Sequence, residues 1–121
     1  MVVLFFMAGL IAHLIGDYLI QTEVEASQKA IKNFVNWPLL RHVLKYTACL
    51  TIVIVAFGAS YWWVLWIFAT HYVLDRRAFV LWWRKNIMRS SEQSIENTFW
   101  LTIIVDQIFH ILAIAVVAAA Q

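Results

Sequence analysis

Apolar residues run in four long blocks along the chain, over about 2–20, 38–57, 61–83 and 99–120, with polar and charged segments between them. Each block approaches the ~20 residues that an α-helix needs to cross a hydrocarbon core. In lipid, backbone groups must pair internally, and such long continuous runs do not match the ~10-residue alternating strands of a barrel. The pattern predicts an all-α fold: a four-helix transmembrane bundle with short amphipathic connecting segments, forming a single integral membrane domain over 1–121. Punctuation fits these limits. Pro38 stands at the opening of the second block, where its missing N–H does no harm. Gly58-Ala59-Ser60 predicts a tight turn, and Ser90 with Gln93 resembles a capping box ahead of the fourth block.

Composition sharpens the class. The 121 residues are 64% hydrophobic and 13% charged, against roughly 25% charged for an average soluble domain. So few polar residues cannot cover the surface of so small a body in water, which excludes a soluble enzyme and a disordered tail. The single cysteine, Cys49, excludes an intramolecular disulfide and a Cys-rich zinc site, and reads as a small buried hydrophobe. The first block lacks a basic flank and a cleavage motif and carries His13 and Asp17, so it reads as a retained helix, not a signal peptide.

Charge sets the expected topology. A net charge of +2 without a long basic stripe argues against nucleic acid. All nine Lys and Arg residues fall at one end of the blocks. Lys29, Lys32, Arg41 and Lys45 lie around the first connection, and Arg76, Arg77, Arg84, Lys85 and Arg89 around the last. The positive-inside rule then places both connections in the cytoplasm and both termini outside, N-out/C-out. In 23–35, Val24, Ile31, Phe34 and Val35 share a predicted apolar face opposite Glu25, Lys29 and Lys32, as expected for a segment lying along the headgroups. Tyr61-Trp62-Trp63 and Trp82-Trp83 read as interfacial anchors.

The candidate chemistry lies in the histidines and aspartates. All four His and all three Asp fall within the apolar blocks or at their ends. Six of them form the i,i+4 pairs His13–Asp17, His71–Asp75 and Asp106–His110, each pair on one helix face. The seventh residue is His42. At 1.5 Å per residue, all seven lie within roughly 6–18 Å of the same boundary. Ionisable groups at membrane depth are costly and face the bundle interior, so a functional site is the default expectation. Imidazole and carboxylate together form the ligand set of Zn²⁺, Mn²⁺ and Fe²⁺ sites, and bundles build such sites from inward-facing pairs. His13, Asp17, His42, His71, Asp75, Asp106 and His110 are therefore candidate metal residues for one ion or two. His42 and Asp75 are also candidates for acid–base work, and Gln21, one turn beyond Asp17, is a candidate supporting residue. A hydrogen-bonded polar core and a proton relay are the competing readings of the same residues.

These motifs resemble a known group. His13-Leu-Ile-Gly16-Asp17-Tyr-Leu-Ile-Gln21-Thr22 with Lys29, Leu39-Leu-Arg-His42 with Tyr46-Thr47, Thr70-His71-Tyr-Val-Leu-Asp75-Arg76 and Asp106-Gln107-Ile-Phe-His110 together resemble the bacterial and phage integral-membrane family of domain of unknown function 3307. The resemblance spans nearly the whole chain and implies a multi-pass protein of the bacterial inner membrane. More distantly the chain is similar to membrane-bound metal-dependent hydrolases, which implies phosphoester chemistry.

The resulting expectation is a metal-dependent hydrolase, with zinc favoured, acting on a phosphoester or lipid-linked substrate. Arg41, Lys45 and Arg76 are the candidate phosphate contacts. Two alternatives remain: a metal or proton transporter, which would need a path through the bundle and a homo-oligomer to form it, and a metal-stabilised structural or interaction protein of phage or bacterial origin.

Overall fold

The structure, a computed structural model, describes residues 1–30 and 36–121. Among these residues it is helical, without strands. α1 is Val2–Leu14 and runs on into a π-helical turn over Ile15–Leu19; α2 is Glu23–Gln28 and α3 Trp37–Ala56. α4 is Trp62–Asp75, α5 Ala78–Asn86, α6 Glu92–Asn97 and α7 Phe99–Ala119. Three helices are long and apolar enough to cross a membrane: Val2–Leu19, Trp37–Ala56 and Phe99–Ala119. α1 and α4 each pack on both α3 and α7, so these four helices close into a ring.

The block at 61–83 is not one helix. It breaks after Asp75, because Arg77 takes the left-handed conformation at φ 60°. That conformation costs a non-glycine residue about 1–2 kcal/mol. The new helix α5 is pinned from its other end. Arg84 is almost fully buried and donates to the Thr98 carbonyl at 3.1 Å, Thr98 Oγ1 at 2.8 Å and Thr102 Oγ1 at 2.9 Å. α4 is left with 14 residues, about 21 Å at 1.5 Å per residue, short of a ~30 Å hydrocarbon core.

Other boundaries follow local chemistry. Asn36 caps α3 by accepting from the Leu39 N–H at 3.2 Å, with Pro38 in the first turn. Gly58 takes φ 65° in the expected turn, where the Ala59 N–H reaches back to the Ile54 carbonyl at 2.9 Å. The expected cap at Ser90 falls one residue later: Ser91 accepts from the Ser94 N–H at 3.1 Å and opens α6, whereas α7 begins without a side-chain cap.

The connecting segment after α1 also departs from expectation. Glu25 and Lys29, placed by the pattern on its outer face, are 2% and 7% exposed, and Val24 is 48% exposed. Ile31, Lys32, Phe34 and Val35 lie outside the described residues. Thr22 and Glu25 form a capping box around α2, and Lys45 ties that helix to α3 through Glu25 Oε2 at 2.8 Å and the Ile20 carbonyl at 3.0 Å.

An apolar core made by Phe5, Leu50, Val53, Ile54, Ile67, Ile114 and Val117 fills the half of the ring nearer the termini. The other half holds the polar cluster. Gly16 lets the chain approach α3 there: a Cβ on it would stand 2.9 Å from Tyr46 Cδ2 and 3.1 Å from Tyr46 Cα. The second contact is backbone and cannot swing away. Gly16→Ala is therefore expected to destabilise the protein by about 1–3 kcal/mol, as overpacking typically does. Thermal unfolding in detergent checks this, and an unchanged midpoint would mean that α1 and α3 are not held this close.

Glu25 gives a second expectation. Burial favours its neutral form, but the Lys45 ammonium and the Thr22 N–H outweigh that and hold its carboxyl below the ordinary value of 4.5. A lowered folded value means that this contribution to docking α2 is complete above about 4.5 and is lost as pH falls through the folded value. Amide exchange across 22–28 should accelerate on such acidification and, at neutral pH, in Glu25→Gln. Equal exchange in the variant would show that the ion pair does not hold α2.

Candidate metal centre

Four helical segments bring the site residues together, and each does so through the spacing of its own pattern. Asp17 sits in the π turn that ends α1; π turns widen a helix locally and are frequent at functional sites. His42 faces inward from α3, His71 and Asp75 share a face of α4, and Asp106 and His110 share a face of α7. All are buried.

One group is compact. His42 Nε2 lies 3.0 Å from Asp17 Oδ1, 2.9 Å from Asp75 Oδ2 and 3.0 Å from His71 Nε2. His71 Nε2 is 3.4 Å from Asp17 Oδ1 and 3.2 Å from Asp75 Oδ2. Four donors at about 2.0–2.1 Å from a tetrahedral ion stand about 3.3 Å from one another, close to the spacing found here.

Asp75 also belongs to a second group. Its other oxygen, Oδ1, lies 3.2 Å from His110 Nε2, and Asp106 completes the set. His110 Nδ1 donates to the Asp106 carbonyl at 2.8 Å. In a neutral ring that bond fixes the tautomer and leaves a lone pair at Nε2. A lone pair facing a carboxylate oxygen calls for a cation or a second proton between them. Among the described residues neither Asp75 oxygen has an aligned hydrogen-bond partner, short as its contacts are. The donors converge on shared points more than they pair with one another.

His13 is brought near but joins neither group. Its Nδ1 meets Tyr46 Oη at 2.9 Å and its Nε2 meets Gln107 Oε1 at 2.8 Å. The amide oxygen of Gln107 only accepts, so His13 Nε2 carries the proton and Nδ1 accepts from the tyrosine. Gln107 Nε2 in turn donates to Asp17 Oδ2 at 3.0 Å. The chain Tyr46–His13–Gln107 thus orients Asp17 so that Oδ1 faces His42 and His71. Tyr46 also stacks on His71, with ring centroids 3.5 Å apart.

Of the candidate phosphate contacts, Arg41 is exposed on α3, and Lys45 is engaged with Glu25 and the Ile20 carbonyl. Arg76 is the half-buried cap residue of α4. Among the described residues Lys29 reaches the cluster, its Nζ 3.0 Å from Asp75 Oδ2. Gln21 is half-buried and lines a cavity of about 90 Å³ together with Asp17, Lys29, Arg77, Asp106 and Gln107. A larger groove of about 460 Å³ between α4 and α7 is lined by apolar residues such as Trp66, Val73 and Phe109 and stands apart from the cluster.

The sequence pattern marked Gln107 and Tyr46 only weakly as site residues. Both carry a helical signal, since Gln107 is three residues before His110 and Tyr46 four residues after His42. Lys29 had no such signal, because its place depends on how α2 folds back.

No curated protein and no solved structure matches the chain. The family profile described as "Protein of unknown function (DUF3307)" matches residues 5–121. With a match running from α1 to the last residue, through every segment that supplies the cluster, the chain belongs to the DUF3307 family.

Proposed function

We propose that this protein is a four-span integral membrane protein, N-out/C-out, that holds one or two divalent ions in its His/Asp cluster. Zinc is favoured, with Mn or Fe as alternatives, and the reaction is hydrolysis of a phosphoester in a lipid-linked or amphipathic substrate. The observation that carries this reading is the convergence of Asp17, His42, His71 and Asp75 at 2.9–3.4 Å, with Asp75 shared by His110. Three buried carboxylates are costly in an apolar interior; the Lys29 ammonium offsets one of them, and a divalent ion would offset more of that cost.

In this reading α4, closing the ring between α3 and α7, is the short fourth span. The nine basic residues mark the cytoplasmic end. Asp17, His42, His71 and Asp75 are ligands of one position, and Asp75, Asp106 and His110 of an adjoining one, so His42 and Asp75 act as ligands before any acid–base role. His13 and Gln107 orient Asp17. A divalent ion bound there supplies Lewis acidity and an activated water. Asp106 lines the cavity beside the cluster, together with Lys29 and Arg77. The packed apolar half formed by Phe5, Leu50, Ile54 and Ile114 favours one-sided access over a transport path.

Elemental analysis of detergent-purified protein tests the reading. Wild type is expected to carry one to two equivalents of metal. His71→Ala should empty the first position, Asp106→Ala at most the second, and Asp75→Asn should lower both. A wild type that is metal-free and cannot be loaded overturns the reading. Loaded protein that cleaves no phosphoester, with phospholipids tried first, would leave the metal centre and remove the hydrolase.

A further inference from the structure

Next to the cluster, three features meet in one place. The cavity of about 90 Å³ has room for several water molecules, and so for one tetrahedral oxyanion. Two of its lining residues are cations, Lys29 and Arg77. Lys29 is 93% buried by its surroundings, counting from its 7% exposure, which is rare for a lysine unless it is paired. Arg77 is held in a left-handed conformation at φ 60°, with its guanidinium over the Phe99 ring at 5.1 Å. Gln21 Oε1 faces the same region, buried without an aligned hydrogen-bond partner. A half-turn of that amide would present its two N–H donors instead.

We propose that this cavity is a phosphate subsite, with Lys29, Arg77 and Gln21 holding the phosphate group of a monoester beside the His/Asp cluster. The inference rests on the metal reading above and names the substrate class for it. Without ions, the cavity is lined by the carboxylates of Asp17 and Asp106 as well as by the cations, and Lys29 is occupied by Asp75 Oδ2 at 3.0 Å. Once divalent ions take up the carboxylates, the Lys29 ammonium loses its partner and stands beside like charge in a buried place. An anion is then needed between them. Three carboxylates, the Lys29 ammonium, the Arg77 guanidinium and two divalent ions leave three positive charges, of which a phosphate dianion offsets two. Arg77 adds a planar donor fork suited to phosphate oxygens. The residues expected from the sequence to do this, Arg41, Lys45 and Arg76, do not line the cavity.

Full-length protein in phosphatidylcholine nanodiscs, loaded with zinc, is titrated with inorganic phosphate by calorimetry, and metal content is measured on the same samples. Wild type is expected to bind phosphate, and Lys29→Met to bind it on the order of tenfold more weakly with metal content unchanged. Lys29→Arg should recover much of the affinity. Arg77→Asn, which tolerates the left-handed backbone, should also weaken binding. Nanodiscs containing phosphatidic acid distinguish the source: competition with inorganic phosphate assigns the subsite to a lipid headgroup, and no competition assigns it to a soluble phosphate. Metal-loaded protein that binds no phosphate, or binds it equally well in Lys29→Met, overturns the subsite and leaves the metal centre standing. Protein that takes up no metal overturns the earlier reading. Phosphate binding by such protein, if Lys29→Met abolished it, would uphold the subsite on its own, and absence of binding would overturn both.

Discussion

The Asp75 carboxylate is the point on which the rest of the arrangement depends. One oxygen meets His42, His71 and Lys29, and the other meets His110, so a single side chain of α4 touches groups carried by α3, by α7 and by the segment after α2. Removing a carboxylate from water is expensive, and in an apolar ring no solvent relieves it. The surrounding residues answer that constraint. The shortest contacts of Asp75 are to nitrogens, those of Lys29, His42, His71 and His110, and the second aspartate in the group, Asp17, accepts from Gln107 through one oxygen and meets His42 and His71 with the other. The backbone gives way to the same demand: the helix widens to a π turn at Asp17 and lacks a side chain at Gly16, where α1 comes against Tyr46.

How far this was legible in the sequence follows from what kind of information each part carries. Helical spacing is local. The pairs His13–Asp17, His71–Asp75 and Asp106–His110 announced shared faces, and equal depth announced that the faces meet. Pairing at i,i+4 did not say which residue would be a ligand. His13 has the spacing of a ligand, yet both its nitrogens are taken by Tyr46 and Gln107 from other helices, which no local pattern records.

Hydropathy failed where a charged side chain found a partner inside. The block at 61–83 reads as one span because Val, Leu, Trp and Phe dominate its average, but Arg84 just beyond it is buried against Thr98 and Thr102. That docking holds α5 against α7, and the chain turns at Arg77 between α4 and α5. The same holds for α2. An amphipathic pattern assumes that charge faces water, whereas Glu25 and Lys29 turn inward because Lys45 and Asp75 await them. In both places the conflict between local pattern and fold falls where a buried charged side chain finds its partner on another helix.

The asymmetry of the ring argues about access more directly than any single residue. Its terminal half is closed by Phe5, Leu50, Ile54, Ile114 and Val117, side chains that fill volume and offer no polar partner. Among the described residues, its other half is bordered by short segments: α2, the turn at Arg77 and the start of α7. α2 is held through polar contacts: Lys45 to Glu25, Asn36 Nδ2 to the Gln28 carbonyl at 2.6 Å, and Lys29, just past its end, to Asp75. This cover rests on polar contacts and not on the interdigitated apolar side chains that close the terminal half. Opening there exposes the cavity bounded by Lys29, Gln21 and Asp106 to the basic side of the molecule. That cavity sets the cations Lys29 and Arg77 beside the carboxylates of Asp17 and Asp106, so the approach to Asp75 is lined by both signs of charge.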